Sequence, residues 1–201
     1  HHLSTIEGGM CCTDDEELNE QLVMCRSHGW DRSLSSDSQN RLRSKNNISD
    51  FYSKYTFYDL GYNLRPNEIN GFIGNTQLKF WDEIVESRFS NFKLFNQEML
   101  NNSELVEVRH DHMNIVSSFA TPVIVKNGSI DKYLKAFQNA KVECRPMIAG
   151  NMMEQPFFKK YVSLRQSLPN VEFIQENSFY VVNNPELTSI EIDILLNCLR
   201  S

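Results

Sequence analysis

The stretch from Arg65 to Asn102, RPNEINGFIGNTQLKFWDEIVESRFSNFKLFNQEMLNN, reads as helix almost throughout. Pro66 suits a first helical turn, where its missing N–H would have had no partner anyway. As one rod, Pro66 to Asn101 would be about 54 Å long at roughly 1.5 Å per residue. That is too long for a small domain. The pattern therefore predicts a break or bend near Phe80 to Asp82.

Around this stretch the signals alternate. GGMCCTDDEEL reads as a short strand at Met10 to Cys12, followed by a capping box from Thr13 to Glu16. The helix opened there carries Leu18, Leu22 and Cys25 on one face and ends at Gly29. From Asp31 to about Asp50, DRSLSSDSQNRLRSKNNISD is rich in Ser, Asn and charge and poor in apolar periodicity, which predicts an exposed loop. Farther on, HMNIVSSFATPVIVK reads as one or two strands, and Ser129 caps a helix bearing Ile130, Leu134 and Phe137. KVECRP and SFYVVNN are further short strands. Thr188 with Glu191 opens a last helix bearing Ile190, Ile194 and Cys198. Strands alternating with helices over the last 100 or so residues indicate an α+β or α/β domain.

Composition narrows the function classes. The apolar share is 40%, the charged share is 23%, and no apolar run approaches the roughly 20 residues of a membrane helix, so no membrane span is expected. The net charge of −6 argues against general nucleic-acid binding while leaving room for a local anion site. Cys11, Cys12, Cys25, Cys144 and Cys198 are an odd set without paired spacing, as suits reduced thiols in the cytoplasm. HDH at His110 to His112 has a metal-like look but no further ligands nearby, and no metal site is expected. The chain does not open with Met or a signal-peptide pattern and reads as a C-terminal portion.

Several separated stretches converge on one family. HHLSTIEGGM, then TDDEEL and RSHGW, then GYNLRPNEINGFIGNTQL, then VECRPMIAGN, resemble in order and spacing the C-terminal half of the pyridoxal-phosphate-dependent nucleotide-sugar aminotransferases and dehydratases of the DegT/DnrJ/EryC/StrS group. The resemblance implies an α/β chain, the C-terminal half of the fold type I aminotransferase architecture. Residues 1–60 would be the C-terminal part of a large cofactor-binding domain with an active-site loop, and residues 61–201 a small α+β domain. It also implies pyridoxal or pyridoxamine phosphate as cofactor, a nucleotide-diphosphate sugar as substrate, glutamate as amino donor, and a homodimer with shared active sites.

Aminotransferases of the group carry lysine where this chain has His1, and a histidine there resembles the group's sugar 3-dehydratases. A lysine amine can hold the cofactor aldehyde covalently. Imidazole cannot, but its unperturbed pKa of about 6.5 suits proton transfer. His1 is thus the implied proton shuttle for removal of the C3 hydroxyl from a 4-keto-6-deoxy sugar nucleotide. Asn63 in GYNLRP matches the asparagine that reaches the partner's cofactor phosphate, and His28, Arg32, Arg145 and Asn151 match substrate-facing positions. A related dehydratase holds an iron-sulfur cluster on four cysteines, and only Cys144 and Cys198 fall in the last 170 residues here.

Plainer readings stand beside these. The two histidines fit the remnant of a purification tag, which leaves an aminotransferase open. Asn63 fits a turn residue, His28 and Arg32 fit helix-terminal cations, and Arg145 fits a surface salt bridge. A non-catalytic dimerising fragment is the third reading. The resemblance places the aspartate for the pyridine nitrogen and part of the phosphate cup upstream of residue 1, so the chain alone is expected to be inactive.

Overall fold

The computed structural model describes residues 1–200, and the chain divides into two compact units: residues 3–78, and residues 79–200 together with His1 and His2. The first unit ends at Leu78. The reason is local: Tyr62 N–H donates to Cys25 O, His28 N–H donates to Tyr62 O, and Asn70 Nδ2 donates to Thr5 O at 2.5 Å, so residues 61–78 are bonded to what precedes them.

The 3–78 unit contains four helices, α1 (Glu16–Cys25), α2 (Ser36–Asn46), α3 (Asp50–Ser53) and α4 (Glu68–Gln77). α1 starts later than its sequence suggests: Asp15 is the N-cap, its carboxylate accepting from Leu18 N–H, and Thr13 Oγ1 accepts only from Asp15 N–H. Met10 to Cys12 form no strand. The expected loop after Asp31 contains α2, which is built on its ends instead of an apolar face. Ser35 caps its first turn, Arg43 and Lys45 complement the carbonyl end, and Asn47 closes it in the left-handed conformation. At α4 the cap is Asn67, in a reciprocal box with Asn70, so Pro66 lies just outside the helix.

The long helical stretch does break. A 3₁₀ turn at Leu78–Phe80 separates α4 from α5 (Trp81–Asn101). In the second unit, β1 (Ala120–Ile124), β2 (Arg145–Pro146) and β3 (Ser178–Val182) form an antiparallel sheet in the order β1-β3-β2, with Val123 opposite Phe179 and Arg145 opposite Tyr180. Helices α5, α6 (Ile130–Asn139) and α9 (Ser189–Leu199) supply one core with the sheet, from Phe95, Met99, Tyr133, Phe137, Leu195 and Leu199. Two short helices, α7 (Pro156–Tyr161) and α8 (Pro169–Asn177), precede β3. The Thr188–Glu191 capping box is present. The buried stripe of α9 is Leu195, Leu196, Cys198 and Leu199, with Ile190 and Ile194 exposed, a rotation from the expected face.

Candidate active site

The stripe of α5 that faces the core is Arg88, Asn91, Phe92, Phe95, Asn96 and Met99, spaced three and four residues apart. Its first member, Arg88, bonds the start of the chain. Arg88 Nη2 donates to His1 O at 2.8 Å, and Arg88 Nη1 donates to His2 Nδ1 at 3.2 Å. With Nδ1 accepting, His2 carries its proton on Nε2 and donates to Ser117 Oγ at 2.7 Å. Burial and the Arg88 charge both hold the His2 pKa below its ordinary 6.5. Burial likewise lowers the pKa of Arg88, and no carboxylate among the described residues pairs with it.

His1 is exposed, and its imidazole stacks on Phe119 with centroids 3.9 Å apart and planes 17° apart. No hydrogen bond among the described residues engages its ring nitrogens, so the imidazole is held in orientation while its nitrogens stay available for proton transfer. Phe119 meets Tyr180 edge-on at 6.2 Å, and Tyr180 lies opposite Arg145 across the sheet. His1 and Arg145 thus stand at two ends of one aromatic row. Arg145 Nε also donates to Glu143 Oε1 at 2.8 Å in an exposed ion pair, which raises its pKa.

Asn151, expected near substrate, is buried, and its Oδ1 accepts from Met153 N–H at 3.1 Å while its own N–H donates to Gln175 Oε1 at 2.6 Å. Its side-chain oxygen shapes the turn after Arg145. His110 is also accounted for locally, with Nδ1 at 3.1 Å from Val108 O and the ring edge-on to Phe92.

The other expected site residues gather within the 3–78 unit. His28 has φ of +60°, a left-handed conformation that is uncommon outside glycine and concentrated at functional loops. It is followed by Gly29 at φ +80°, where any side chain would collide with the Asp59 carbonyl. The turn presents Trp30 as a platform: the His28 ring lies 4.6 Å from it, the Arg32 guanidinium carbon 3.8 Å above it, and Arg65 at 6.0 Å. Arg32 also donates to Lys54 O. Asn63 forms a bridge with Ser27 at the same turn, and its Oδ1 accepts from Arg65 Nε at 3.3 Å. Two guanidinium groups and an imidazole around one indole make a cationic, stacked surface suited to anionic groups.

The sequence alone points to no role for His2, Arg88, Ser117 or Phe119. A signal existed for one of them: an arginine on the apolar stripe of an amphipathic helix must find partners or be costly. Which partners it finds depends on tertiary packing across 86 or more residues.

A model of the DegT/DnrJ/EryC1/StrS aminotransferase family matches residues 1–200. The GDP-4-keto-6-deoxy-D-mannose 3-dehydratase of Yersinia pseudotuberculosis is 31% identical over 205 residues, which cover 100% of this chain and 51% of that protein. A solved structure of a GDP-4-keto-6-deoxymannose-3-dehydratase with one histidine replaced by asparagine, bound to GDP-perosamine, matches with a TM-score of 0.83 at 30% identity, covering 98% of this chain and 52% of the other. Another, with a trapped PLP-glutamate geminal diamine, matches with a TM-score of 0.81 at 31% identity over 98% and 52%. The chain spans about half the length of the curated relatives it matches, and its mixed helix and sheet arrangement is that of the C-terminal half of their fold.

Proposed function

The chain belongs to the DegT/DnrJ/EryC1/StrS aminotransferase family, and on that premise we propose that it is part of a nucleotide-sugar 3-dehydratase that uses pyridoxamine phosphate to remove the C3 hydroxyl of a 4-keto-6-deoxy sugar nucleotide. The observation that carries this reading is His1, whose imidazole is exposed, stacked on Phe119 and free of hydrogen bonds among the described residues. The relatives named as 3-dehydratases and bound to PLP adducts support the same chemistry.

The residues present fit such a cofactor held without a covalent tether. An imidazole in the lysine position leaves a cofactor amine uncommitted, and Asn63 presents an amide able to donate to phosphate oxygens. When bound, the cofactor supplies an amine for the sugar ketone and a ring that accepts electrons. His1 would move the proton at the carbon bearing that amine, because a neutral imidazole can accept it and the imidazolium can return it. In this reading Arg32 and His28 offer the Trp30 surface of their own unit to an anionic group, and Arg145 is a substrate-facing residue of the other unit. Asn151 orders the turn that follows Arg145.

The protein is a homodimer in this reading, with Asn63 serving the partner's cofactor phosphate. Supporting this, the segment around Asn63 exposes a band of large apolar side chains, among them Phe51, Tyr55, Leu60, Leu64 and Phe72. A cytoplasmic setting fits five free cysteines, and no described helix is long and apolar enough to cross a membrane. Glutamate would be the amino donor in this reading.

The test uses the full-length protein with pyridoxamine phosphate, glutamate and a GDP-4-keto-6-deoxy sugar. The expected product has lost one oxygen at C3, whereas an aminotransferase would yield a sugar amine. His1→Asn is expected to retain pyridoxamine phosphate binding and to lose dehydration by about 10²-fold or more, the usual range for a general acid–base group. Unchanged turnover in that variant overturns the assignment of His1.

A further inference from the structure

Arg88 is linked to His1 twice over. Through its guanidinium it donates to the His1 carbonyl and to His2. Through its backbone, Arg88 O accepts from Asn183 Nδ2 at 3.0 Å, Asn183 Nδ2 also reaches Ser118 O at 2.9 Å, and Asn183 N–H donates to Phe119 O at 3.1 Å. Phe119 then stacks on the His1 ring. Asn183 Oδ1 is itself taken by Asn91 Nδ2 at 3.1 Å, one turn along α5. The contacts close a loop that runs from α5 through the end of β3 and the residue before β1 to the imidazole, and back through the guanidinium to the His1 carbonyl. One side of the loop holds the backbone of His1 and the other holds its ring.

The chemistry of the loop is unusual for a purely structural element. Arg88 is 8% exposed, its positive charge has no carboxylate partner among the described residues, and its Nε has no hydrogen-bond partner. A charge buried against neutral acceptors is unfavourable for stability, and an apolar residue would pack on the same stripe without that cost. Proton transfer to and from a fixed carbon needs the imidazole placed within a fraction of an ångström, and such placement comes from a surrounding shell that locks the rotamer. Resting on the assignment of His1 as the proton shuttle, we propose that Arg88 is a positioning residue that, with His2, Asn183 and Phe119, holds the His1 imidazole in its working orientation. His2 is in this account a neutral link between Arg88 and Ser117 rather than a second proton shuttle.

The test combines a structural and a kinetic readout on the full-length enzyme. Histidines are labelled at Cε1, the His1 signal is assigned with His1→Asn, and its position is read without substrate. The ring of Phe119 should shift that signal upfield. In Arg88→Met, which keeps the aliphatic stem and removes the donors, the upfield shift should shrink and kcat should fall about 10-fold, with KM and pyridoxamine phosphate binding within about twofold. Arg88→Lys, with a single head group, should recover part of both. Phe119→Leu, at a half-buried position, removes the ring directly and should give the same split of kcat from KM should Arg88→Met fail to fold. An unmoved His1 signal in Arg88→Met, or a Phe119→Leu enzyme with wild-type kcat while His1→Asn is inactive, overturns the proposal. If the His1 signal moves while His1→Asn itself turns over normally, the brace stands and the shuttle assignment falls.

Discussion

The two units of the chain are stabilised by different means. In residues 79–200 with His1 and His2, a continuous apolar core runs from Phe95 and Met99 through Tyr133, Phe137 and Phe179 to Leu199. In residues 3–78, Met24 is the one large apolar side chain that is buried, and the other buried positions are Ser27, Gly29, Asp31, Ser38 and Ser53. Thirteen large apolar residues of that unit are exposed, from Ile6 and Met10 to Leu78, mostly after Phe51. A body with so little buried apolar surface depends on hydrogen bonds, which contribute only about 0.5–1.5 kcal/mol each, and on surfaces that cover it.

The largest expected contrast is between one core residue of each unit. Phe137 is fully buried and meets Phe179 edge-on at 5.6 Å, so Phe137→Ala should destabilise the sheet unit by about 3–5 kcal/mol. Met24→Ala should cost the other unit no more than about 2 kcal/mol, the low end for such a truncation, because no other large apolar side chain of that unit is buried with it. The two tryptophans make the comparison measurable, since Trp30 lies in one unit and Trp81 in the other. Urea unfolding followed in Trp30→Phe and Trp81→Phe backgrounds reports each unit separately. Equal costs would contradict the distinction.

A middle-sized effect should come from the buried charge that the 3–78 unit uses in place of a core. Asp31 is fully buried, its Oδ2 accepting from Arg43 Nε at 2.9 Å with the Tyr58 hydroxyl 3.4 Å away. Arg43 is raised by that carboxylate, and Tyr58 is raised by burial and by Asp31. Asp31→Asn keeps the shape and removes the charge. Since Arg43 is partly exposed, the expected cost is about 1–3 kcal/mol, read at Trp30, with Trp81 unaffected. A cost below about 0.5 kcal/mol would show that this pair does not organise the unit.

The same contrast explains what was legible in the sequence. In the sheet unit the apolar pattern and the capping signals agree, and β1, β3, α6 and the Thr188–Glu191 box stand where the sequence places them. Even there α9 is so apolar that two stripes fit its sequence. Packing against α5 and α6 chose Leu195, Leu196 and Leu199 over Ile190 and Ile194. In the other unit apolar periodicity is the wrong signal, because α2 buries only Ser38 and is defined by Ser35 and Asn47 at its ends. The site divides the same way. His1, Asn63, His28 and Arg32 are candidates because they lie in contiguous motifs. The Arg88–His2–Asn183 network could not be read from the sequence, because its bonded pairs lie 86 and 95 residues apart and only the fold joins them.

The smallest effect concerns the polar exception in the apolar unit, and it is a matter of pH. His2 has a folded pKa below its ordinary 6.5, chiefly through burial and then through Arg88. As pH falls through about 6.5 the unfolded chain takes up a proton at this position and the folded unit resists it, so the unfolded state binds more protons. Stability contributed by neutral His2 is therefore complete above about pH 6.5 and declines as pH drops toward the folded pKa, below which the decline stops. Trp81, whose ring centroid is 5.8 Å from that of His2, should report the change directly. His2→Gln retains an acceptor for Arg88 and a donor for Ser117 but cannot titrate. The decline between pH 6.5 and the onset of carboxylate protonation near pH 5 should be present in the wild type and flattened in His2→Gln. If the slope persists in that variant, His2 is not its source, and the neutral link between Arg88 and Ser117 loses its support.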